Sequence, residues 1–249
     1  MNCNYIKAIY TDRTGNLWIG TNGGGLSLFK NGTFSTFTNR DGLSSNEIWT
    51  LYGDRQGSLW IGTGDGGLDR FRDGKFTVYN QKMGLSSDQV WSLFQDREGS
   101  LWIGTTGGGL NRLADSRFTT YSSQEGLSND VVLPVYESRD GSLWLGTDGG
   151  GVDRIKDGKI TSYTTRNGLS DDEVFSICED AEGSIWIGTR HGLDRFKDGA
   201  FQVFTTRNGL PDDIVTSSYL DREGNLWIGT RSGLSTIFLK YTNVFDLPC

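Results

Sequence analysis

The sequence predicts an all-β chain folded as a six-bladed β-propeller with four antiparallel strands per blade. Three observations carry that prediction. Trp18, Trp60, Trp102, Trp144, Trp186 and Trp227 recur at intervals of 42, 42, 42, 42 and 41 residues, each inside a near-identical segment. That segment reads Leu17-Trp18-Ile19-Gly20-Thr21 in the first copy, with Leu145 replacing Ile in the fourth and Ile185 opening the fifth. A copy of this length, cut by turn signals into four short runs, has the size of one propeller blade. Finally, no stretch between the glycines carries apolar residues at spacings of three and four over ten or more positions, which a helical solenoid of similar period needs.

Within the second copy, Ile48 to Asp54 alternates as strand A and closes on Asp54-Arg55-Gln56-Gly57. Leu59 to Thr63 follows as strand B, then a glycine loop, Leu68 to Arg72 as strand C, the turn Asp73-Gly74, and Lys75 to Tyr79 as strand D. Asn31-Gly32, Asp73-Gly74, Asp157-Gly158 and Asp198-Gly199 are type I′ hairpin signals, because Asn or Asp followed by Gly tolerates positive φ at both central positions. Strand A carries Ile6, Ile48, Val90, Val132, Val174 and Val215, then a small residue two positions on, then an aromatic at Tyr10, Tyr52, Phe94 and Tyr136. Cys178 takes the aromatic's place in the fifth copy and reads as a core residue. One small sheet cannot bury both its faces, so the blades are expected to pack face to face around an axis through the Trp, Leu, Ile and aromatic positions. The expected blades lie at about 1–41, 42–83, 84–125, 126–167, 168–208 and 209–249, in a single domain spanning 1–249.

Composition excludes several functions. A net charge of −7 and a pI of about 4.8 argue against nucleic acid as a partner, since phosphate binding needs clustered Lys and Arg. No apolar run approaches the roughly 20 residues of a membrane span, and the start of the chain does not resemble a secretion signal. Cys3, Cys178 and Cys249 lack zinc-site spacing, and a single histidine, His191, does not complete a metal site, so neither a metal nor any other cofactor is expected.

The succession of strand A, Asp54-Arg55-Gln56-Gly57-Ser58-Leu59-Trp60-Ile61-Gly62-Thr63, Gly66-Gly67-Leu68-Asp69-Arg70-Phe71 and Gly84-Leu85-Ser86 resembles the two-component regulator propeller repeat, and the resemblance spans nearly the whole chain. It implies the periplasmic or extracellular sensor part of a hybrid histidine kinase, a class many of whose members answer to oligosaccharides. It also implies a signalling module as partner, beyond this chain.

In the expected ring the chain starts in strand A near Tyr5 and ends in a degenerate strand D near Val244-Phe245, so no strand is exchanged and closure rests on packing of the first blade on the sixth. Aligning the copies puts Cys249 at the place of Asn208 and Cys3 at that of Asp212, separated only by Gly209-Leu210-Pro211. A Cys3–Cys249 disulfide and two free terminal thiols are both open readings.

Residues shared by every copy serve the blade, so recognition is sought where the copies differ. The turns Asp12-Arg13, Asp54-Arg55, Asp96-Arg97 and Asp221-Arg222 recur and are explained by an Asp capping its own turn. Asp69-Arg70, Asp153-Arg154 and Asp194-Arg195 of strand C read as surface ladder charges. On the opposite face, where strand A begins, equivalent positions hold Lys7, Trp49, Trp91, Leu133, Phe175 and Thr216. Two residues earlier stand Tyr5, Glu47, Gln89, Val131, Glu173 and Ile214, and alternation puts both sets on one side of the strand. Aromatic platforms beside carboxylates and amides suit a sugar, whose ring face stacks while its hydroxyls take hydrogen bonds. Packing of Trp49, Trp91 and Phe175 between blades is the competing reading.

The B-to-C loops vary as well, with Asn22, Asp65, Thr106 and Asp148 in the first four copies, and Arg190-His191 and Arg231-Ser232 in the last two. Arg190 and Arg231 together suit one anionic group, against a competing reading as solvated loop charges. No cue sets a nucleophile beside His191, and Glu47 with Glu173 qualify as a glycosidase pair only by position. The expected function is thus a non-enzymatic propeller binding an oligosaccharide or other small polar ligand at the mouth of its central channel. A propeller polysaccharide lyase or glycoside hydrolase, and a protein-interaction platform or engineered repeat scaffold, are the alternatives.

Overall fold

Hairpin chemistry sets the local structure. Asn31, Asp73, Asp157 and Asp198 adopt φ of 50 to 51°, and the glycines that follow them φ of 76 to 83°, the doubly positive pair of a type I′ turn. The computed structural model describes residues 5–239, which form two compact units, one made by residues up to 125 with 130–132, the other by 126–129 and residues from 133 on.

Every strand pairs with its neighbour in sequence. The first sheet is β1 (Ile6–Thr11), β2 (Leu17–Thr21), β3 (Leu26–Lys30) and β4 (Thr33–Phe37); the second is β5 (Ile48–Gly53), β6 (Leu59–Thr63), β7 (Leu68–Arg72) and β8 (Lys75–Tyr79). The third runs β9 (Val90–Gln95), β10 (Leu101–Thr105), β11 (Leu110–Ala114) and β12 (Arg117–Tyr121), the fourth β13 (Val132–Glu137), β14 (Leu143–Thr147), β15 (Val152–Lys156) and β16 (Lys159–Tyr163). The fifth is β17 (Val174–Glu179), β18 (Ile185–Thr189), β19 (Leu193–Lys197) and β20 (Ala200–Phe204), and the sixth shows β21 (Val215–Leu220), β22 (Asn225–Thr230) and β23 (Gly233–Phe238). The strand expected near Val244-Phe245, and Cys3 and Cys249 with their disulfide, lie outside the described residues. Four of the links from strand D to the next sheet hold a short 3-10 turn, each capped by a Thr or Asn and closed by a left-handed glycine. Among the described residues no helix is long and apolar enough to cross a membrane.

Within each unit, cores form between consecutive sheets. Trp18, Leu26, Leu43, Ile48, Leu59 and Ile61 make one cluster, and Trp60, Leu68, Leu85, Val90, Leu101 and Ile103 its counterpart one sheet on. The repeated glycine of strand B makes this packing possible: a Cβ on Gly62 would stand 2.4 Å from Thr50 Cγ2 and 2.7 Å from Val90 Cγ1 of the next sheet. Cys178 is buried, as expected, and burial pushes its thiol up to about 11. Two faces depart from the pattern of buried Ile, Val and Trp positions. Ile6 is 45% and Trp227 38% exposed, whereas Ile48, Val90, Val132, Val174 and Val215 are fully buried.

The turn aspartates do more than cap. Asp54 Oδ1 accepts the Ser58 N–H at 2.7 Å, and Oδ2 accepts the buried Trp60 indole N–H at 2.8 Å; Asp96 with Trp102 and Asp180 with Trp186 repeat the arrangement. The fourth sheet substitutes Ser138, whose Oγ accepts from Trp144 at 3.3 Å. The strand-C Asp-Arg pairs are not surface charges. Asp69, Asp153 and Asp194 are fully buried, and each accepts from the backbone N–H and hydroxyl of a Gly-Leu-Ser serine: Ser44, Ser128 and Ser170 respectively. Arg70, Arg154 and Arg195 lie over the rings of Trp60, Trp144 and Trp186. Both faces of strand C are covered, so simple alternation misplaces the aspartate.

The third sheet's outer turn lacks a glycine: Asp115 and Ser116 hold φ of 48° and 62°. A left-handed backbone costs an L-residue about 1–2 kcal/mol, against which glycine gives back some unfolded-state entropy. Ser116→Gly, which recreates the turn of the other sheets, is therefore expected to stabilise the protein by about 0.5–1 kcal/mol, read as a higher urea midpoint at unchanged slope.

Candidate functional site

The variable position of strand A is a β-bulge. Ile48 pairs with Thr63 and Thr50 with Gly62, leaving Trp49 as an extra residue without a partner; Lys7, Trp91, Phe175 and Thr216 occupy the same bulge in their sheets. A bulge breaks the alternation and re-aims the side chain it carries. It turns a strand position that would otherwise continue the pleat into one free to differ between copies.

In the first unit the bulges of the second and third sheets bring two indoles together. The Trp49 and Trp91 rings have centroids 4.6 Å apart at 39°, with Trp49 half-buried and Trp91 40% exposed. Trp49 Nε1 donates to Glu47 Oε1 at 2.9 Å, fixing the inner indole and leaving the second carboxylate oxygen of Glu47 beside it. Gly64 makes room for both: a Cβ there would lie 2.9 Å from Trp49 Cε2 and 2.9 Å from Glu47 Cδ. In the other copies the equivalent residue is Asn22, Thr106, Asp148, Arg190 or Arg231, each with a side chain. Gly64, rather than Asp65, is thus the second copy's counterpart of Asn22, since Gly64 N donates to Glu47 O as Asn22 N donates to Tyr5 O. Gln89 is exposed one residue before Val90, and its carbonyl takes Thr106 N. Lys7 is exposed, its ammonium 5.0 Å from the Tyr5 ring centroid.

In the second unit the corresponding positions are polar. Arg190 Nη1 pairs with Glu173 Oε2 at 2.7 Å and its backbone N donates to Glu173 O, so this arginine is turned onto its own sheet's carboxylate. His191 Nδ1 contacts Asp171 Oδ2, and its backbone N–H donates to Thr189 Oγ1. Phe175 is half-buried on its bulge, and Arg231 is exposed, its backbone N donating to Ile214 O. Of the residues the sequence singles out, the structure brings Trp49, Trp91 and Glu47 together, and Gly64 beside them is not among those residues. The signal was present as the one glycine at a position that elsewhere carries a side chain.

The profile of the two component regulator propeller matches six segments, residues 1–23, 42–65, 84–107, 126–149, 168–191 and 209–232, more than half of the chain. Among solved structures, the extracellular domain of the hybrid two component system BT3049 from B. thetaiotaomicron is similar at 27% identity and a TM-score of 0.85, over 96% of this chain and 33% of that one. The extracellular domain of BT4673 from the same organism is similar at 22% identity and a TM-score of 0.81, over 96% of this chain and 36% of that one. This chain therefore spans about a third of the length of those chains. Virginiamycin B lyase from Staphylococcus aureus, solved in an inactive form with quinupristin, shares the fold at 15% identity and a TM-score of 0.77, over 97% of this chain and 82% of that one. No match was found among curated proteins.

Proposed function

The chain belongs to the two component regulator propeller family, and on that premise we propose that it is a non-enzymatic, ligand-binding sensor propeller, a single domain over residues 1–249. Its ligand is an oligosaccharide or similar polar molecule held where the second and third blades begin. The observation that carries this reading is the Trp49–Trp91 pair, two indoles projected by bulges beside Glu47 with the outer ring in solvent. An indole left 40% exposed on a family scaffold contributes little to stability, whereas it offers a sugar ring a flat apolar face. Glu47, beside the inner indole, and the exposed Gln89 are the polar residues assigned to its hydroxyls. Lys7 in the first unit, and Phe175, Glu173, Arg190, His191 and Arg231 in the second, are the other variable side chains assigned to ligand contact, each within its own unit. A periplasmic or extracellular location is supported by the extracellular origin of the similar two-component domains, and the response is passed to a signalling module.

A glycan panel titrated against the protein and against Trp91→Ala tests the reading. Saturable binding of at least one glycan, weakened about tenfold or more by Trp91→Ala, is expected, equivalent to about 1.4 kcal/mol or more. The melting temperature of Trp91→Ala is expected to stay where it was, because the ring is half in solvent. Chemical turnover of any bound glycan would contradict the non-enzymatic assignment.

A further inference from the structure

We propose that the cleft between the first and second sheets, at the turn end opposite the strand-A starts, binds a small ring compound bearing a carboxylate. This cleft of about 490 Å³ is lined among others by Tyr10, Trp18, Lys30, Gly53, Phe71 and Arg72, all within the first unit. The second unit has a counterpart of about 370 Å³ between its fourth and fifth sheets, and the comparison between them shows what is unusual.

In the second unit's cleft the charges satisfy one another. Asp140 Oδ2 takes Arg154 Nη2 at 2.6 Å and Lys156 Nζ at 2.8 Å, Glu182 Oε2 takes Lys197 Nζ at 2.9 Å, and Glu179 Oε2 accepts Arg139 N at 2.8 Å. Three substitutions undo this arrangement in the first unit. Thr14 stands where Asp140 and Glu182 stand, and its hydroxyl donates back to Asp12 at 2.7 Å. Lys30, the equivalent of Lys156 and Lys197, is left with no hydrogen-bond or ion-pair partner for its ammonium among the described residues. Leu28 replaces the arginine that lies over the tryptophan in the second to fifth sheets, so among the described residues no guanidinium lies over the Trp18 ring. Gly53 replaces Gln95 and Glu179, and Tyr10 fills the space: a Cβ on Gly53 would lie 1.9 Å from the Tyr10 hydroxyl oxygen.

The Tyr10 hydroxyl, too, has no hydrogen-bond partner among the described residues, while the carboxylates nearby are committed. Asp12 accepts from Thr14, Asn16 and Trp18, Asp54 from Ser58 and Trp60, and Asp73 faces Arg72 at 3.6 Å. What remains is an unspent ammonium and hydroxyl beside the apolar surfaces of Trp18, Leu59 and Phe71, in a volume suited to a small molecule. A carboxylate gives Lys30 a charge-assisted partner and Tyr10 an acceptor, and the ring that carries it covers the aromatic edge.

Calorimetric titration with D-glucuronate and with benzoate, each against its neutral counterpart D-glucose or benzyl alcohol, tests the proposal and separates a sugar acid from an aromatic acid. At least one acid is expected to bind tenfold or more tightly than its neutral counterpart. Thr14→Glu, which rebuilds the Glu182–Lys197 pair, is expected to weaken that binding at least tenfold without lowering the melting temperature, and Lys30→Arg to retain it. Trp91→Ala, which strikes the proposed sensor site, should leave it unchanged. Equal binding of acid and neutral probe, or Thr14→Glu binding as well as the parent, would overturn the assignment.

Discussion

Asp54→Ala is expected to destabilise the protein by about 3 kcal/mol, the sum of a lost turn cap and a buried indole N–H left without an acceptor. For a chain of this size that corresponds to a melting temperature lower by roughly 6–12 °C. Asp54 and Trp60 are both buried, and Asp54 accepts from Ser58 N and Trp60 Nε1 at once, so no water replaces the carboxylate without opening the turn. The fourth sheet supplies an internal control, because Ser138 there accepts the indole N–H of Trp144. Asp54→Ser should recover part of the loss. Asp221→Ala should cost well under half as much, because the Trp227 it serves is 38% exposed and its N–H can turn to water. Equal losses at Asp54 and Asp221 would show that burial of the indole is not what sets the cost.

The second large effect is on pH dependence. Burial pushes the carboxyl of Asp194 up to about 7 and that of Asp69 up to about 6, and raises that of Asp153, despite the serine hydrogen bonds that oppose it. A carboxyl raised above its unfolded value near 3.8 holds its proton in the folded state while the unfolded chain has released it. Stability from these groups is therefore full below about pH 4 and lost as the pH rises to about 7. The turn carboxylates act oppositely. Against the cost of burial, hydrogen bonds hold Asp12 and Asp140 well below the ordinary range, and the Trp227 N–H with those of Asn225 lowers Asp221 to about 2. Their contribution disappears only on strong acidification, so the stability maximum is expected in mildly acid solution, near pH 4–5.

The third sheet shows how the penalty can be removed. Asn111 stands in the place of Asp194, with Oδ1 accepting Ser86 N at 3.1 Å and Nδ2 donating to Ser86 Oγ at 2.6 Å. Asp194→Asn is accordingly expected to leave stability nearly unchanged at pH 4 and to raise it by about 2–4 kcal/mol at pH 8, measured by urea unfolding at both. A gain of the same size at both pH values would mean that the amide packs better, and that the charge was never the cost.

These two cases mark how far the sequence can be read. The sheet order, the turn types and the core Ile, Val and Trp positions follow from period and punctuation, because every copy repeats the same answer. The Asp54–Trp60 contact was legible as a fixed spacing of six residues between turn Asp and strand-B Trp, but one-dimensional reading credits the Asp only to its own turn. Asp69, Asp153 and Asp194 were misplaced on the surface, since alternation assumes one covered face and strand C has two. At the candidate site the pairing of Glu47 with Trp49 was expected from alternation, whereas a bulge produces it. A bulge depends on register against the neighbouring strand, which composition along one strand does not express. The clearing at Gly64 became meaningful only once the indole beside it was placed.

The chain has 8 tryptophans, six of them at the repeated position in strand B and two, Trp49 and Trp91, on bulges, so the indole N–H resonances report on scaffold and site separately. A heteronuclear NMR titration with a glycan that binds is the most direct measurement. Recognition by the non-identical rim predicts that the Trp49 and Trp91 indole signals move and saturate together while those of Trp60, Trp102, Trp144 and Trp186 stay in place. Saturable binding that leaves both bulge indoles unmoved would contradict it.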